Sequence, residues 1–164
     1  MFDFQTDAGL DKPELYEALT QAAQALVYGE SDPVANMANL SAVIWQFLPD
    51  LNWAGFYRTI GDELVLGPFM GKPACIRIPF GQGVCGTAAA SARTQVVPDV
   101  HAFPGHIACD AETRSEVVVP VVVDGKVIAV IDLDSPTPSR FDEADAAGLE
   151  KLALIAAKAI CATP

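Results

Sequence analysis

Two valine-rich runs, Ser115 to Val123 and Lys126 to Asp134, flank the dipeptide Asp124-Gly125. β-Branched residues at this density favour strands, and an Asp-Gly pair between them favours a tight hairpin. Strands joined by so short a link pair only antiparallel, so the chain is committed to an antiparallel sheet. A second hairpin is predicted from Asn52 to Phe69, with Trp53-Ala-Gly-Phe-Tyr57 and Leu64-Val-Leu66 on either side of Gly61-Asp62. Short strands are predicted at Cys75 to Ile78 and Gln95 to Val97.

Helices bracket these strands. Asp11-Lys-Pro-Glu14 combines a capping residue, an early proline and an acid three positions on, and Leu15, Leu19, Ala22, Ala23 and Leu26 follow at helical spacing. This predicts a helix over 12–28. Asp32-Pro33 repeats the start signal, Met37, Leu40, Ile44 and Phe47/Leu48 continue the stripe, and Pro49 ends it. Phe141-Asp142 opens a last helix with Leu149, Leu152, Ala153, Ala156 and Ile160 on one face. The expected fold is α+β, an antiparallel sheet with helices from both ends of the chain layered on one face. The 164 residues, 51% of them hydrophobic, suffice for one domain. Residues 1–10 are expected to be a flexible arm and 11–164 the single domain.

Lysine and arginine number 10 against 21 acids, a net charge of -11, and the cations are scattered singly from Lys12 to Lys158. That distribution argues against a nucleic-acid partner. Met1 to Asp7 is acidic where an export signal is basic, and no apolar run approaches the length of a membrane span. A soluble cytoplasmic protein is expected, in which Cys75, Cys85, Cys109 and Cys161 are reactive or buried thiols rather than a disulfide framework.

Gly81-Gln-Gly83-Val-Cys-Gly86 fits the dinucleotide pattern G-x-G-x-x-G, and Asp99 lies near the position of a ribose-binding acid. Yet Cys75 to Val97 spans only 23 residues, which leaves little more than two helical turns for a crossover. A glycine turn opening a short helix through about Ala92 is the better reading, its amides able to hold a small carboxylate. Residues 99–114 show no periodicity but carry two histidines, a cysteine and several acids, as functional loops do. Cys109 lies in this loop, where a thiol is accessible. Cys85 sits at a helix start, where peptide dipoles favour thiolate. Cys161 reads as a bystander. Cys75, Cys85 and Cys109 with His101 or His106 are conceivable metal ligands, but paired C-x-x-C spacings are absent and no metal is expected.

Asp132 and Asp134 are two apart on a strand and leave the same sheet face. Whether Glu116 joins them depends on the hairpin. A plain turn pairing 123 with 126 puts Glu116 on the opposite face, whereas a three-residue loop with a glycine bulge, pairing 122 with 126, sets it directly against Asp132. Side-by-side carboxylates repel, so one holds a proton or the group holds a cation.

Over nearly its whole length the sequence resembles the free methionine-(R)-sulfoxide reductases, small enzymes made of one GAF domain. The resemblance rests on Asn52-Trp-Ala-Gly-Phe-Tyr57, Gly71-Lys-Pro-Ala-Cys75, Gly81-Gln-Gly-Val-Cys85-Gly, Asp99-Val-His-Ala-Phe-Pro-Gly-His-Ile-Ala-Cys109-Asp, Ser115-Glu-Val-Val-Val-Pro120 and Ile131-Asp-Leu-Asp-Ser-Pro136. It implies a six-stranded antiparallel sheet flanked by helices, often in a homodimer. It further implies that Cys109 is the nucleophile, Cys75 the resolving cysteine and Cys85 an auxiliary thiol. Trp53, Glu116, Asp132 and Asp134 would form the substrate pocket, the indole against the S-methyl end and the carboxylates serving the ammonium and the sulfoxide oxygen. The expected chemistry is reduction of free L-methionine-(R)-S-oxide through a sulfenic acid and an intramolecular disulfide, with thioredoxin as external reductant and no cofactor. A GAF ligand sensor without turnover and a thiol redox switch acting on a partner protein are the competing expectations.

Overall fold

The computed structural model describes residues 9–107 and 110–161. Cys109 and most of the expected N-terminal arm lie outside the described residues. Helix α1 (Lys12–Val27) starts at a capping box in which the Asp11 carboxylate accepts from Glu14 N and the Glu14 carboxylate accepts from Asp11 N. Helix α2 (Pro33–Phe47) starts at Asp32, whose side chain accepts from Ala35 N. Strands β1 (Trp53–Ile60) and β2 (Glu63–Gly71) form the first hairpin, followed by β3 (Arg77–Pro79), helix α3 (Gly83–Ser91), β4 (Gln95–Val97) and a single 3-10 turn over Val100–Ala102. Strands β5 (Ser115–Val123) and β6 (Lys126–Ser135) and helix α4 (Glu143–Ile160) complete the order.

The six strands form one sheet in the order β3-β2-β1-β6-β5-β4, with every neighbouring pair antiparallel. Alternation along the strands builds two cores. Ala54, Phe56, Val117, Val119, Val121, Ile131 and Leu133 pack with α1, α2 and α4 on one face, while Trp53, Tyr57, Val118 and Val130 pack with α3 on the other. The single-face helical layer anticipated from the chain ends is therefore only part of the fold, because the short α3 covers the second face. No helix among the described residues is long and apolar enough to cross a membrane.

Strand β3 begins two residues later than predicted, so Cys75 lies in the connection before it. The register between β1 and β2 shifts between Gly55 and Tyr57, where β2 carries an extra residue around Gly67-Pro68. The proline has no N–H to continue a ladder, and β3 pairs with only Glu63 to Val65. The glycines of the dinucleotide-like motif have steric roles. Gly81 and Gly83 take positive φ at the entry to α3, and a Cβ on Gly86 would lie 2.4 Å from the Pro79 carbonyl oxygen. Asp99 caps the 3-10 turn through His101 N instead of facing a ribose.

Helices α1 and α4 are joined by a buried carboxylate. Asp145 is fully buried and accepts hydrogen bonds from Tyr16 Oη at 2.9 Å, Arg140 Nη1 at 3.1 Å, Lys12 Nζ at 2.6 Å and Asp142 N at 2.9 Å. The Tyr16 ring held in this way lies flat against Gly148, where an added Cβ would meet ring carbons at 2.2 Å. Alanine gains about 1 kcal/mol of helix propensity over glycine. The clash costs about 1–3 kcal/mol or more, because the tyrosine cannot swing away without breaking its bond to Asp145. Gly148→Ala is therefore expected to be a net destabilisation that lowers Tm by several degrees in thermal unfolding. An unchanged or raised Tm would mean that Tyr16 is not pinned.

Candidate active site

The second hairpin turns through Asp124 (φ 49°) and Gly125 (φ 76°) and pairs Val123 with Lys126 and Val122 with Val127. This is the plain two-residue turn, not the three-residue glycine-bulged loop. Between Val122 and Val121 the register shifts, with Ile128 the extra residue on β6, so that Val121 pairs with Ala129, Val118 with Asp132 and Glu116 with Asp134. The extra residue reverses the facing of everything beyond it. Glu116 thus shares a face with Asp132 and Asp134 for a different reason than the turn chemistry offered, and its direct cross-strand neighbour is Asp134 rather than Asp132.

On the same face, β1 places Trp53 beside Asp134 and Gly55 beside Asp132. The indole stacks on Phe69 at 5.2 Å and on Tyr57 at 5.7 Å between ring centroids, and its Nε1 donates to the Lys72 carbonyl oxygen at 3.2 Å. From the other side α3 lowers Cys85 onto the carboxylates, its Sγ 4.0 Å from Glu116 Oε1. Cys85, Glu116 and Asp132 are all more than nine-tenths buried. His106 closes the group, with Nε2 3.7 Å from Glu116 Oε2.

Burial controls the protonation of this cluster. It raises Asp132 from 3.8 to about 7, even though hydrogen bonds involving Cys85 and Glu116 favour the carboxylate. Glu116 is pushed well above the usual carboxylate range by burial, then by the charges of Asp132 and Asp134. Asp134 rises through burial, then through Asp132 and Asp110. All three carboxyls are pushed toward the protonated form, and at this spacing they titrate as one coupled group rather than as three separate acids. The Cys85 thiol is pushed up by burial and then by Asp132 and Glu116. The thiolate suggested by its place in the first turn of α3 is thereby overruled, since one helix terminus is weaker than desolvation beside two carboxylates.

These groups line a partly open pocket of about 30 Å³, together with Ile78, Ile107, Thr113 and the Lys72-Pro73-Ala74 segment. A water needs about 10–15 Å³ by this measure, so the volume is on the scale of about two waters. Asp110 ties its rim together. Its carboxylate accepts from Asn52 Nδ2 at 3.2 Å and pairs with Lys72 Nζ at 3.3 Å, while Asn52 Nδ2 also reaches Thr113 Oγ1 at 3.0 Å. Hydrogen bonds from Glu112 N, Asn52 and Lys72 hold Asp110 below its ordinary range. Cys75, next to Ala74, is disulfide-bonded, whereas Cys85 and Cys161 are free thiols, the latter exposed at the end of α4.

The structure thus brings Trp53, Cys85, Glu116, Asp132 and Asp134 into one pocket, with Cys75 in the segment beside it. Sequence reasoning did not single out Tyr57, Asn52, Lys72 or Asp110. Tyr57 was reachable, because alternation places it on the face of Trp53 four residues earlier. The rim contacts, between residues 38 and more apart, leave no local signal.

The titration of Asp132 yields a signed prediction. Between pH 3.8 and about 7 the folded chain keeps a proton that the unfolded chain has lost, so this group's contribution to stability falls as pH rises through that window. Asp132→Asn is expected to raise stability by roughly 1–3 kcal/mol at pH 8 and by little at pH 4, measured by urea unfolding. Equal effects at both pH values would remove the buried-charge account.

The GAF domain family matches residues 16–160. Free methionine-R-sulfoxide reductase of Escherichia coli is 48% identical over 154 residues, covering 94% of this chain and 93% of that protein. The protein of the same name from Saccharomyces cerevisiae is 49% identical over 154 residues, covering 89% and 86%. The X-ray structure of free methionine-R-sulfoxide reductase from Neisseria meningitidis in complex with its substrate is 46% identical, with a TM-score of 0.93, over 98% of this chain and 96% of that one.

Proposed function

The chain belongs to the GAF-domain family of free methionine-R-sulfoxide reductases, and from that premise we propose that it reduces free L-methionine-(R)-S-oxide by thiol chemistry in the pocket on the α3 face of the sheet. The observation that carries this reading is the meeting of Trp53, Glu116, Asp132 and Asp134 in one pocket, with Cys75 next in sequence to its Lys72-Pro73-Ala74 wall. A sulfoxide sulfur is electrophilic only when its oxygen receives a proton, so a neutral acid and a thiolate must address the same S=O group. Burial pushes Glu116 and Asp134 toward the protonated form, which suits either to supply that proton. Asp132, whose buried Oδ1 has no hydrogen-bond partner among the described residues, is suited to the substrate ammonium. The Trp53 indole would receive the methyl group.

In the proposed sequence the Cys109 thiolate attacks sulfur and a neutral carboxylic acid protonates the oxygen. Methionine departs with its sulfur reduced by two electrons, and the oxygen remains on Cys109 as a sulfenic acid. The Cys75 thiol condenses with that sulfenic acid, forming the disulfide and releasing water. An external dithiol, which we assign to thioredoxin, restores both thiols by exchange. The disulfide-bonded state of Cys75 beside free Cys85 supports the resolving role of Cys75. The small pocket volume supports an entry step in which the Lys72, Asn52 and Asp110 contacts part to admit the substrate.

Stoichiometry separates the two cysteines. Cys109→Ser is expected to form no methionine in a single turnover without reductant, because an alcohol is a far weaker nucleophile at neutral pH. Cys75→Ser should yield about one methionine per chain but lose thioredoxin-coupled turnover at least about tenfold, with a sulfenic acid that dimedone traps. Methionine formed by the Cys109 variant would move the attack to another thiol. Turnover absent from the unmodified protein, with binding retained, would favour the ligand-sensor reading.

Selection of the free amino acid follows from the buried carboxylates. An N-acetylated sulfoxide has no ammonium to pair with Asp132, and a buried unpaired charge is costly. The expected loss in kcat/KM is on the order of 10⁴-fold in a coupled NADPH assay. Comparable rates on the two substrates would give the carboxylates another role.

A further inference from the structure

We propose that Cys85, Glu116 and Asp132 form a binding site for a borderline-soft divalent cation of the Zn²⁺ class. A thiol sulfur and one oxygen from each carboxylate lie within 4.8 Å of one another, and all three side chains are buried. Tetrahedral zinc holds sulfur at about 2.3 Å and oxygen at about 2.0–2.2 Å, which sets sulfur and oxygen roughly 3.5 Å apart. Cys85 Sγ and Glu116 Oε1 stand 4.0 Å apart and the whole set lies within 4.8 Å, so closing on an ion takes side-chain shifts of up to roughly an ångström. An independent observation points to a ligand at the same place. Asp132 Oδ1 is a buried acceptor with no hydrogen-bond partner among the described residues, on a side chain that lines the pocket. Such an atom costs free energy until something electropositive meets it.

The space fits an ion better than a larger guest. About 30 Å³ accommodates a cation and a bound water. Three protein ligands with an open fourth position is the arrangement of zinc sites that exchange a ligand. The His106 imidazole, 3.7 Å from Glu116 Oε2, flanks the three ligands without joining them. A thiolate with two carboxylates selects Zn²⁺ or Co²⁺ over Mg²⁺ and Ca²⁺, which require six or more oxygen ligands. Binding transfers no electrons. The Cys85 sulfur and any protonated carboxyl release their protons to solvent as metal bonds form.

The sequence offered a different ligand set, of which Cys109 lies outside the described residues. Cys75 is disulfide-bonded, and Cys85 joins two acids contributed by neighbouring strands. The metal would occupy the space assigned above to the substrate ammonium and would exclude it. Metal binding itself does not depend on what the substrate is.

The test uses the oxidised protein carrying Cys161→Ser, which leaves Cys85 as the free thiol among the described residues. Co²⁺ is titrated first, then Zn²⁺ in competition. One Co²⁺ per chain is expected, with a thiolate-to-cobalt charge-transfer band that Zn²⁺ abolishes and Mg²⁺ does not. Cys85→Ser should lose the band and weaken Zn²⁺ at least about tenfold, and Glu116→Gln should weaken it while keeping the band. The second variant keeps the test decisive if the first fails to fold. Cobalt bound without a thiolate band, or Zn²⁺ affinity unchanged in both variants, would place the metal on surface acids and overturn the site.

Discussion

The arrangement of this molecule turns on one extra residue in β6. Ile128 shifts the pairing of β5 and β6 by one, and because strand side chains alternate with period two, the shift decides which face every later residue occupies. With the shift, Val117 and Val119 meet Ile131 and Leu133 in the helical core, and Glu116, Asp132 and Asp134 turn together toward α3. Without it, a carboxylate would enter the apolar core. The turn at Asp124-Gly125 creates the hairpin, and the bulge gives it an apolar face and a chemical one.

Gathering three acids under a helix is electrostatically expensive, and the surroundings determine how the expense is met. Isolated buried carboxylates shed charge by keeping protons, and all three shift in that direction here. The result is a coupled set whose members all lean toward the protonated form. Such a set can donate a proton and accept a cation in the same small volume, as one carboxylate in water could not. The stacked rings of Trp53, Tyr57 and Phe69 stand beside it.

Much of this was legible before any coordinates. The caps Asp11, Asp32 and Asp142, the two hairpins and the alternation that pairs Asp132 with Asp134 all write themselves into local sequence, because their causes act over a few residues. The bulge does not, since Ile128 is an ordinary strand residue and only the packing of both faces selects it. The Cys85 thiol was misread for a related reason. A helix start is visible in sequence, but the desolvation that outweighs it comes from β5 and β6. Cys75 fell outside its expected strand because a proline in β2 ended the edge available to pair with it.

Asp145 has a consequence for how the chain comes into being. Its partners Lys12 and Tyr16 stand at the other end of the sequence, and β1 pairs with β6 at the centre of the sheet. A ribosome delivers these elements in order, so α1 and β1 emerge long before the segments that bury them. Until α4 is released, the apolar stripe of α1 lacks one cover and Tyr16 lacks its hydrogen-bond acceptor. The helical layer therefore cannot close around Tyr16 until α4 has emerged, so the pairing of the two ends is a late step in folding.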